Sequence, residues 1–198
     1  GSRDAAKLAD FSQKSGIGAG TFAQVAAESD VVILAVKGTA AEAVVGELSS
    51  VLAGKTVIDA TNPIADAPPQ DGILVYFTNA NESLMERLQA LAPQAKFVKA
   101  FSSVGNGLFI HPKLQGGRPT MFICGNDAGA KDQVRQVLTQ FGWDSEDMGT
   151  AAAARAAATE DVTKIAEDVF HIHVVTLTSA IGIASVHSSM AILVVHFA

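Results

Sequence analysis

Residues 31–36 are apolar at every position, reading Val-Val-Ile-Leu-Ala-Val. A strand with one wet face alternates apolar and polar side chains, so this uninterrupted run predicts a strand that is covered on both faces. Further apolar-rich runs, at residues 56–60, 96–101 and 120–125, predict additional strands. Because helical patterns of roughly 10–15 residues separate the runs, the sequence predicts a doubly wound, mostly parallel α/β sheet.

The predicted helices and turns place the strand ends at one edge of this sheet. Helical periodicity predicts helices over residues 4–14, 22–28, 81–91 and 128–141, and one more that Thr39 caps and Gly54 ends. A last short strand is predicted over residues 143–148, after a loop over residues 102–119. The turns at 36–39 and 61–63, and the strand end at Phe101, then face the edge where open α/β sheets bind ligands.

Composition excludes several classes of protein. The chain has 198 residues and a formal net charge of −6, which argues against general nucleic-acid binding, because neutralising phosphates needs clustered cations. The single cysteine, Cys124, excludes an internal disulfide, and its place in an apolar run predicts a buried, inert thiol. This cysteine usage fits a reducing compartment, so we expect a cytoplasmic protein.

The first residues carry a candidate anion site. Ser2, Arg3 and Lys7 bring a hydroxyl, a guanidinium and an ammonium together near a predicted helix N-terminus. Such a set suits a phosphomonoester, which Arg binds bidentately and the helix dipole favours. The alternative, that Arg3 and Lys7 are solvated charges at a frayed end, stays open.

Two strand ends carry candidate groups for a planar ligand. Asn62 and Pro63 follow a buried strand, and the Asn62 amide can both donate and accept, which suits a ribose or a carboxamide. The alternative is a simple Asn-Pro turn. Val36 and Lys37, with Gly38, end the neighbouring strand and offer backbone and a small apolar side chain to press on a ring.

No set of nucleophile, base and orienting residue is visible in the sequence. His111 lies in a Gly/Pro loop and is interpreted as a surface residue. His171 and His173 have the spacing of metal ligands on a strand, but no third ligand is nearby, so we predict no metal site. Hydride transfer between two planar cofactors needs orientation rather than acid–base groups, and it is compatible with this absence.

Several stretches, in the same order, resemble the family of NADP oxidoreductases that use a deazaflavin coenzyme. They are residues 1–4, 29–36, 54–63, 98–105 and 119–127, so the resemblance covers about residues 1–155. A related Rossmann domain occurs on the cytosolic side of six-transmembrane ferric reductases. The resemblance implies a Rossmann-like fold and NADP(H) as cofactor.

The resemblance also implies roles for the candidate residues. Ser2 and Arg3 would bind the 2′-phosphate and select NADP(H) over NAD(H), with Lys7 assisting. The residues that would surround the nicotinamide riboside and ring, where a deazaflavin or flavin would stack as second substrate, are Val36, Lys37, Asn62, Pro63 and Phe101. Hydride would pass directly between the two rings.

The family's opening strand and G-x-G-x-x-G turn would precede Gly1. The glycines at 16, 18 and 20 follow the Ser-Arg pair instead of a strand, so they are not that turn. We therefore interpret the chain as a truncated member whose sheet is incomplete at the N-terminus. An NADP-binding domain is predicted over residues 1–150, and a helix with an uncharged apolar tail over 151–198.

The tail has three interpretations. Residues 169–198 contain no Asp, Glu, Lys or Arg, so residues 174–198 could anchor the chain in a membrane. Alternatively, strands at 174–177 and 192–197 fill the vacant sheet positions, with residues 179–182 replacing the phosphate turn. The third interpretation, which we favour, is an unrelated segment with no folded role; a helix is predicted over 151–170.

These observations predict an NADP(H)-dependent oxidoreductase whose partner is a small-molecule redox acceptor. Deazaflavin, flavin, quinone and ferric chelate all require a similar open apolar cleft, so the acceptor stays open. Two alternatives also stay open: a non-catalytic remnant or regulatory dinucleotide-binding module, and the soluble domain of a membrane reductase. The incomplete sheet further suggests a homo-oligomer.

Overall fold

The computed structural model describes residues 1–2, 8–71, 73–114, 117–157 and 191–195. Its strands, in chain order, are β1 (Val31–Ala35), β2 (Thr56–Asp59), β3 (Lys96–Lys99), β4 (Thr120–Gly125), β5 (Asp144–Asp147) and β6 (Ala191–Val195). Its helices are α1 (Ala9–Ser15), α2 (Phe22–Ala27), α3 (Gly38–Leu48), α4 (Leu84–Leu91), α5 (Ala128–Gln140) and α6 (Ala154–Ala157). Short 3₁₀ turns lie at Asn106–Leu108 and Ala151–Ala153.

The strands lie in the order β5-β4-β3-β2-β1-β6. β1, β2 and β3 are parallel, and β5 is parallel to β4. β4 is antiparallel to β3, and β6 is antiparallel to β1. The predicted Rossmann-like α/β fold is thus confirmed. The carboxyl ends of β1, β2 and β3 meet at one side of the sheet, which we call the carboxyl edge.

Each face of the sheet carries a hydrophobic core, and β1 contributes to both. Val32 and Leu34 pack in a cluster that includes residues of α2, α3 and α4. Val31 and Ile33 pack on the opposite side with a cluster that includes α5. All four side chains are at most 2% exposed. Burial on both faces accounts for the uninterrupted apolar run in the sequence.

Local hydrogen bonds set the helix starts. α4 begins after Ser83 rather than at residue 81, because the Ser83 hydroxyl accepts from the Glu86 amide (3.2 Å) while Glu86 Oε2 accepts from the Ser83 amide (2.8 Å). This reciprocal pair is a capping box. The prediction that Thr39 caps α3 is wrong: the helix begins at Gly38, and Lys37 occupies the N-cap position without a side-chain cap bond.

The segment after β5 is tied to α4 by an ion pair. Arg155 in α6 donates from Nη2 to Glu86 Oε1 (2.5 Å) and from Nε to Glu86 Oε2 (2.9 Å). Hydrogen bonding to this guanidinium lowers the pKa of Glu86 to about 2. The predicted helix over 151–170 is seen only in its first turns, as the 3₁₀ turn and α6, and its remainder lies outside the described residues.

Part of the tail belongs to the sheet. β6 pairs with β1 over a register that runs from Val31↔Val195 to Ala35↔Ala191. The strand predicted at 192–197 therefore exists, although it begins one residue earlier and ends two residues earlier. The interpretation of a tail without a folded role is wrong for these residues. The strand predicted at 174–177 and residues 179–182 lie outside the described residues. No helix in the described part of the chain is long and apolar enough to span a bilayer.

Candidate functional site

The turns that follow β1 and β2 are in direct backbone contact at the carboxyl edge. A Cβ added to Gly38 would stand 1.9 Å from the carbonyl oxygen of Asn62 and 3.4 Å from Cα of Pro63. Any side chain at residue 38 would therefore collide with main chain. Glycine at this position is what allows α3 to start against the turn that carries Asn62.

The turn after β3 is attached to the same point. The Asn62 side chain donates from Nδ2 to the carbonyl oxygen of Ser102 at 2.7 Å. Asn62 thus contacts the β1 turn through its backbone and the β3 turn through its amide. The structure brings three predicted strand ends together in this way, and Asn62 is at their centre.

A buried ionic network lies directly beneath this junction. Lys99 Nζ donates to Asp59 Oδ2 at 3.0 Å and to the carbonyl oxygen of Thr61. Asp59 Oδ1 accepts from the Thr61 amide (2.9 Å) and hydroxyl (2.6 Å). The three residues are at most 3% exposed.

The sequence analysis did not single out this network. The signal available was a lysine at the buried end of one strand and an aspartate at the end of the next strand. In the parallel register Asp59 and Lys99 are direct partners. A buried charge requires an opposite charge or several hydrogen bonds, so the two residues could have been paired from the strand alignment.

Phe101 does not present its ring to the carboxyl edge. β3 ends at Lys99, two residues earlier than predicted, and Phe101 has a left-handed φ of 64°. Its ring is 1% exposed and stacks on Phe109, with centroids 4.6 Å apart. The contribution of Phe101 to the edge is therefore limited to its backbone.

The other residues predicted for the nicotinamide end differ in exposure. Val36 and Pro63 are buried, and Asn62 is half-buried. Lys37 is exposed and forms an ion pair with Asp66 in the loop after Pro63. The hydrogen bond from Lys37 lowers the pKa of Asp66. Lys37 thus fastens that loop to the end of β1.

The predicted phosphate site is described only in part. Gly1 packs on α2, where an added Cβ would lie 2.5 Å from Val25 Cγ2, and the Ser2 amide donates to the Gly20 carbonyl at 3.1 Å. These contacts place Gly1 and Ser2 beside the start of α2. Arg3 and Lys7 lie outside the described residues.

A groove accompanies this segment. It has a volume of about 450 Å³ and runs between residues 17–20 and the exposed side of α2, where Gln24 and Glu28 line it. Since Gly20 both lines the groove and accepts the Ser2 amide, the N-terminal residues lie beside it.

The remaining candidates have structural roles. His111 is exposed, has a φ of 49°, and donates its amide to the Phe141 carbonyl at 2.7 Å. Burial raises the pKa of Cys124 to about 11, as expected for an inert thiol. Within the described ranges, His, Cys, Asp and Glu form no group of three that could hold a metal. His171 and His173 lie outside those ranges.

Comparison with known proteins agrees with the sequence resemblance. Residues 1–63 match the family model of coenzyme F420-dependent NADP oxidoreductases. A candidate F420-dependent NADP reductase from Arthrobacter sp. FB24 is 29% identical, with a TM-score of 0.67 over 78% of this chain and 70% of that protein. A hypothetical protein from Sinorhizobium meliloti is also 29% identical, with a TM-score of 0.61 over 77% of this chain and 73% of that protein.

A more distant similarity concerns the fold alone. An imine reductase from Bacillus cereus BAG3X2 is 16% identical, with a TM-score of 0.53 over 85% of this chain and 50% of that protein. Sheets of this architecture therefore occur in proteins of very different sequence, and the residues at the carboxyl edge must carry any functional assignment.

Proposed function

We propose that this chain is a coenzyme F420-dependent NADP oxidoreductase, which binds NADP(H) along the carboxyl edge and transfers hydride to or from a deazaflavin. The similarity of residues 1–63 to that family's model supports the proposal. The observation that carries the proposal is the junction at Asn62. There, the turns after β1, β2 and β3 are held together beside a ready carboxamide. Ligands of doubly wound sheets bind at this position.

The chemistry of the junction fits the nicotinamide end of the cofactor. The Asn62 Nδ2 group donates its hydrogen bond to the Ser102 carbonyl, whereas Asn62 Oδ1 accepts no hydrogen bond from the described residues. A carboxamide NH₂ is a suitable donor to that oxygen. Pro63 and Gly38 are both buried beside this amide, and Gly38 packs against the Asn62 carbonyl, so the main chain that would support a flat ring is held rigidly.

The other end of the cofactor would lie beside α2. Ser2 and Arg3 are proposed to bind the 2′-phosphate, with Lys7 assisting, because a hydroxyl and a guanidinium together can saturate several phosphate oxygens. The groove between residues 17–20 and α2 is adjacent to Ser2 and offers space for the adenosine.

The protein's own task in this reaction is orientation. NADP(H) supplies the hydride chemistry when bound. Asn62 would fix the rotation of the nicotinamide, and Val36 and Pro63 would exclude water beneath it. No side chain has to transfer a proton, which agrees with the absence of a nucleophile–base pair among the described residues at this edge.

A deazaflavin is the acceptor we propose, because the family model and the Arthrobacter protein are both named for F420, which is a deazaflavin coenzyme. Flavin, quinone and ferric chelate are the competing acceptors. Steady-state NADPH oxidation with each acceptor in turn distinguishes them, and the deazaflavin should give the highest kcat/KM. If another acceptor gave a higher kcat/KM, that acceptor would take the place of the deazaflavin in the proposal. The cytoplasmic location stays a prediction.

The test of cofactor binding is a fluorescence titration with NADPH and with NADH. Wild type should bind NADPH saturably below millimolar concentration. Arg3→Ala should reduce the binding free energy of NADPH by about 1.5–3 kcal/mol, as expected for the loss of a charged hydrogen bond. The binding free energy of NADH should change far less. Lys14→Ala is the matched control, because Lys14 is exposed and forms an ion pair with Asp10 on α1. Absence of saturable NADPH binding to wild type rejects the proposal.

One observation favours a second function, a dinucleotide-binding module without catalysis. A glycine-rich phosphate turn follows a strand that is parallel to its neighbours. β6 runs antiparallel beside β1, so its last residues lie at the amino end of β1. A turn that follows β6 would therefore lie at the opposite edge of the sheet. NADPH binding without hydride transfer to any of the four acceptors would support this module, and measurable transfer would exclude it.

A further inference from the structure

The buried Lys99 ammonium holds the backbone immediately before Asn62. It donates both to the Asp59 carboxylate (3.0 Å) and to the carbonyl oxygen of Thr61. The Lys99 side chain is only 4% exposed, and that of Asp59 is fully buried. Neither charge is accessible to a ligand, so any effect on function must pass through the residues that they hold.

The two peptide units that meet at Thr61 are both held by hydrogen bonds. Its amide and hydroxyl donate to Asp59 Oδ1, at 2.9 and 2.6 Å, and its carbonyl accepts from Lys99. The next residue is Asn62. With the amide, hydroxyl and carbonyl of Thr61 all bonded, the backbone that enters Asn62 has little freedom. This backbone places the Asn62 side chain where its amide reaches the Ser102 carbonyl.

Stability alone does not explain a charged pair at this position. An apolar pair of similar volume is often as stable as a buried ion pair, because desolvating two charges is expensive. Apolar side chains could not hold the Thr61 carbonyl and amide in one orientation. The charges of Lys99 and Asp59 are therefore needed to hold the turn after β2 in one geometry.

We propose that Lys99 is a positioning residue for the nicotinamide end of the site: together with Asp59 it holds Thr61, and thereby orients Asn62 toward the cofactor. The inference rests on the proposed function for its ligand. The contacts that carry it exist in the ligand-free protein, so part of its test needs no cofactor.

The variant to use is Lys99→Met combined with Asp59→Asn. Lys99→Met alone would leave the Asp59 charge buried and unpaired, and the protein could then fail to fold. The double variant removes both charges, while the asparagine introduced at position 59 keeps an oxygen for the Thr61 amide and hydroxyl. Lys96→Met is the matched control, because Lys96 begins the same strand but is partly exposed and pairs with Asp127 at the opposite edge (3.4 Å).

The first readout is hydrogen exchange in the ligand-free protein. In the double variant the Asn62 side-chain amide, which donates to Ser102, should exchange about tenfold faster or more. The Trp143 indole N–H, which donates to the Phe109 carbonyl at 3.0 Å, reports on general loosening and should not change. Unchanged exchange at Asn62, or equal acceleration at both groups, overturns the inference.

The second readout compares two ligands. NADPH carries the nicotinamide, and 2′,5′-ADP carries the 2′-phosphate without it. The double variant should bind NADPH about tenfold more weakly than wild type and should bind 2′,5′-ADP with unchanged affinity. Lys96→Met should change neither affinity. Equal weakening of both ligands would indicate a merely structural role and overturn the inference.

The two proposals can fail separately. If wild type binds neither ligand, the proposed function is rejected, and the exchange measurement still decides whether Lys99 orients Asn62. If wild type binds both ligands and the double variant binds NADPH as well as wild type does, the role of Lys99 is rejected and the proposed function stands.

Discussion

The Cα of Gly38 lies against the carbonyl of Asn62 so closely that an added Cβ would stand 1.9 Å from the oxygen. Gly38→Ala should therefore destabilise the protein by about 1–3 kcal/mol, because main chain must shift to relieve the overlap. Gly46→Ala lies in the same helix with no atom near its added Cβ, and should stabilise by about 0.5–1 kcal/mol. Urea unfolding of both variants measures the contrast, and effects of the same sign would contradict the close approach.

Removing the Asn62 amide should separate binding from stability. Asn62→Ala loses one hydrogen bond, to Ser102, so unfolding free energy should fall by only about 1 kcal/mol. NADPH affinity should fall about tenfold while 2′,5′-ADP affinity stays constant. Asn81→Ala is the control, because Asn81 is exposed and the hydrogen bond that it donates to Asn79 uses its backbone amide. An unchanged NADPH affinity in Asn62→Ala would remove Asn62 from the site.

The ion pair between Glu86 and Arg155 should make the free energy of unfolding depend on pH in the acidic range. The pKa of Glu86 falls from 4.5 to about 2 on folding, mainly through the hydrogen bond from Arg155. The carboxylate therefore stabilises the folded state above pH 4.5, and this contribution is lost as the pH falls from 4.5 toward 2.

Glu86→Gln removes that charge and retains a side chain that suits the capping box. Thermal unfolding at several pH values should give this variant a lower melting temperature than wild type at pH 7. The difference in melting temperature should disappear as the pH approaches 2. Glu82→Gln, at an exposed carboxylate that contacts Arg87, should show a small gap. A Glu86→Gln gap that does not change with pH would contradict the pKa shift.

Cys124 should be unreactive in the native protein. Burial raises the pKa of its thiol to about 11, so very little thiolate is present at pH 8. Alkylation by iodoacetamide should be at least roughly a hundredfold slower than in denaturant. Because the chain has one cysteine, the mass change reports this site alone. Rapid native alkylation would show that the strand opens to solvent.

Apolar periodicity was sufficient to predict the order of the elements. The run at 31–36 became β1 because both of its faces are buried. Ser83 and Asp127 cap α4 and α5 in the structure, but neither residue entered the sequence prediction, which placed the start of α4 at residue 81. Periodicity does not report strand direction, so the antiparallel setting of β4 and β6 could not be derived. The start of α3 was misplaced because it depends on a backbone contact between Gly38 and a residue far along the chain.

Of the candidate site, the sequence predicted only residues that follow the end of a strand. Asn62 and Pro63 lie three and four residues beyond the end of β2, and the topology brings them to the carboxyl edge. Phe101 follows β3 in the same way, but its positive φ turns the ring into the core, which no local pattern indicates. Lys99 was overlooked because a lysine within a strand is ordinarily solvated, and its partner Asp59 comes from another strand.

The acidic composition of β5 has a consequence for self-association. This strand closes one flank of the sheet, and three of its four residues are Asp144, Glu146 and Asp147. Two copies that met flank to flank there would bring the two Glu146 side chains and the ion pairs of Asp144 and Asp147 together, and strand borders that carry charged side chains resist pairing and fibril growth. If copies of this chain assemble as the sequence suggests, we expect the contact elsewhere on the molecule.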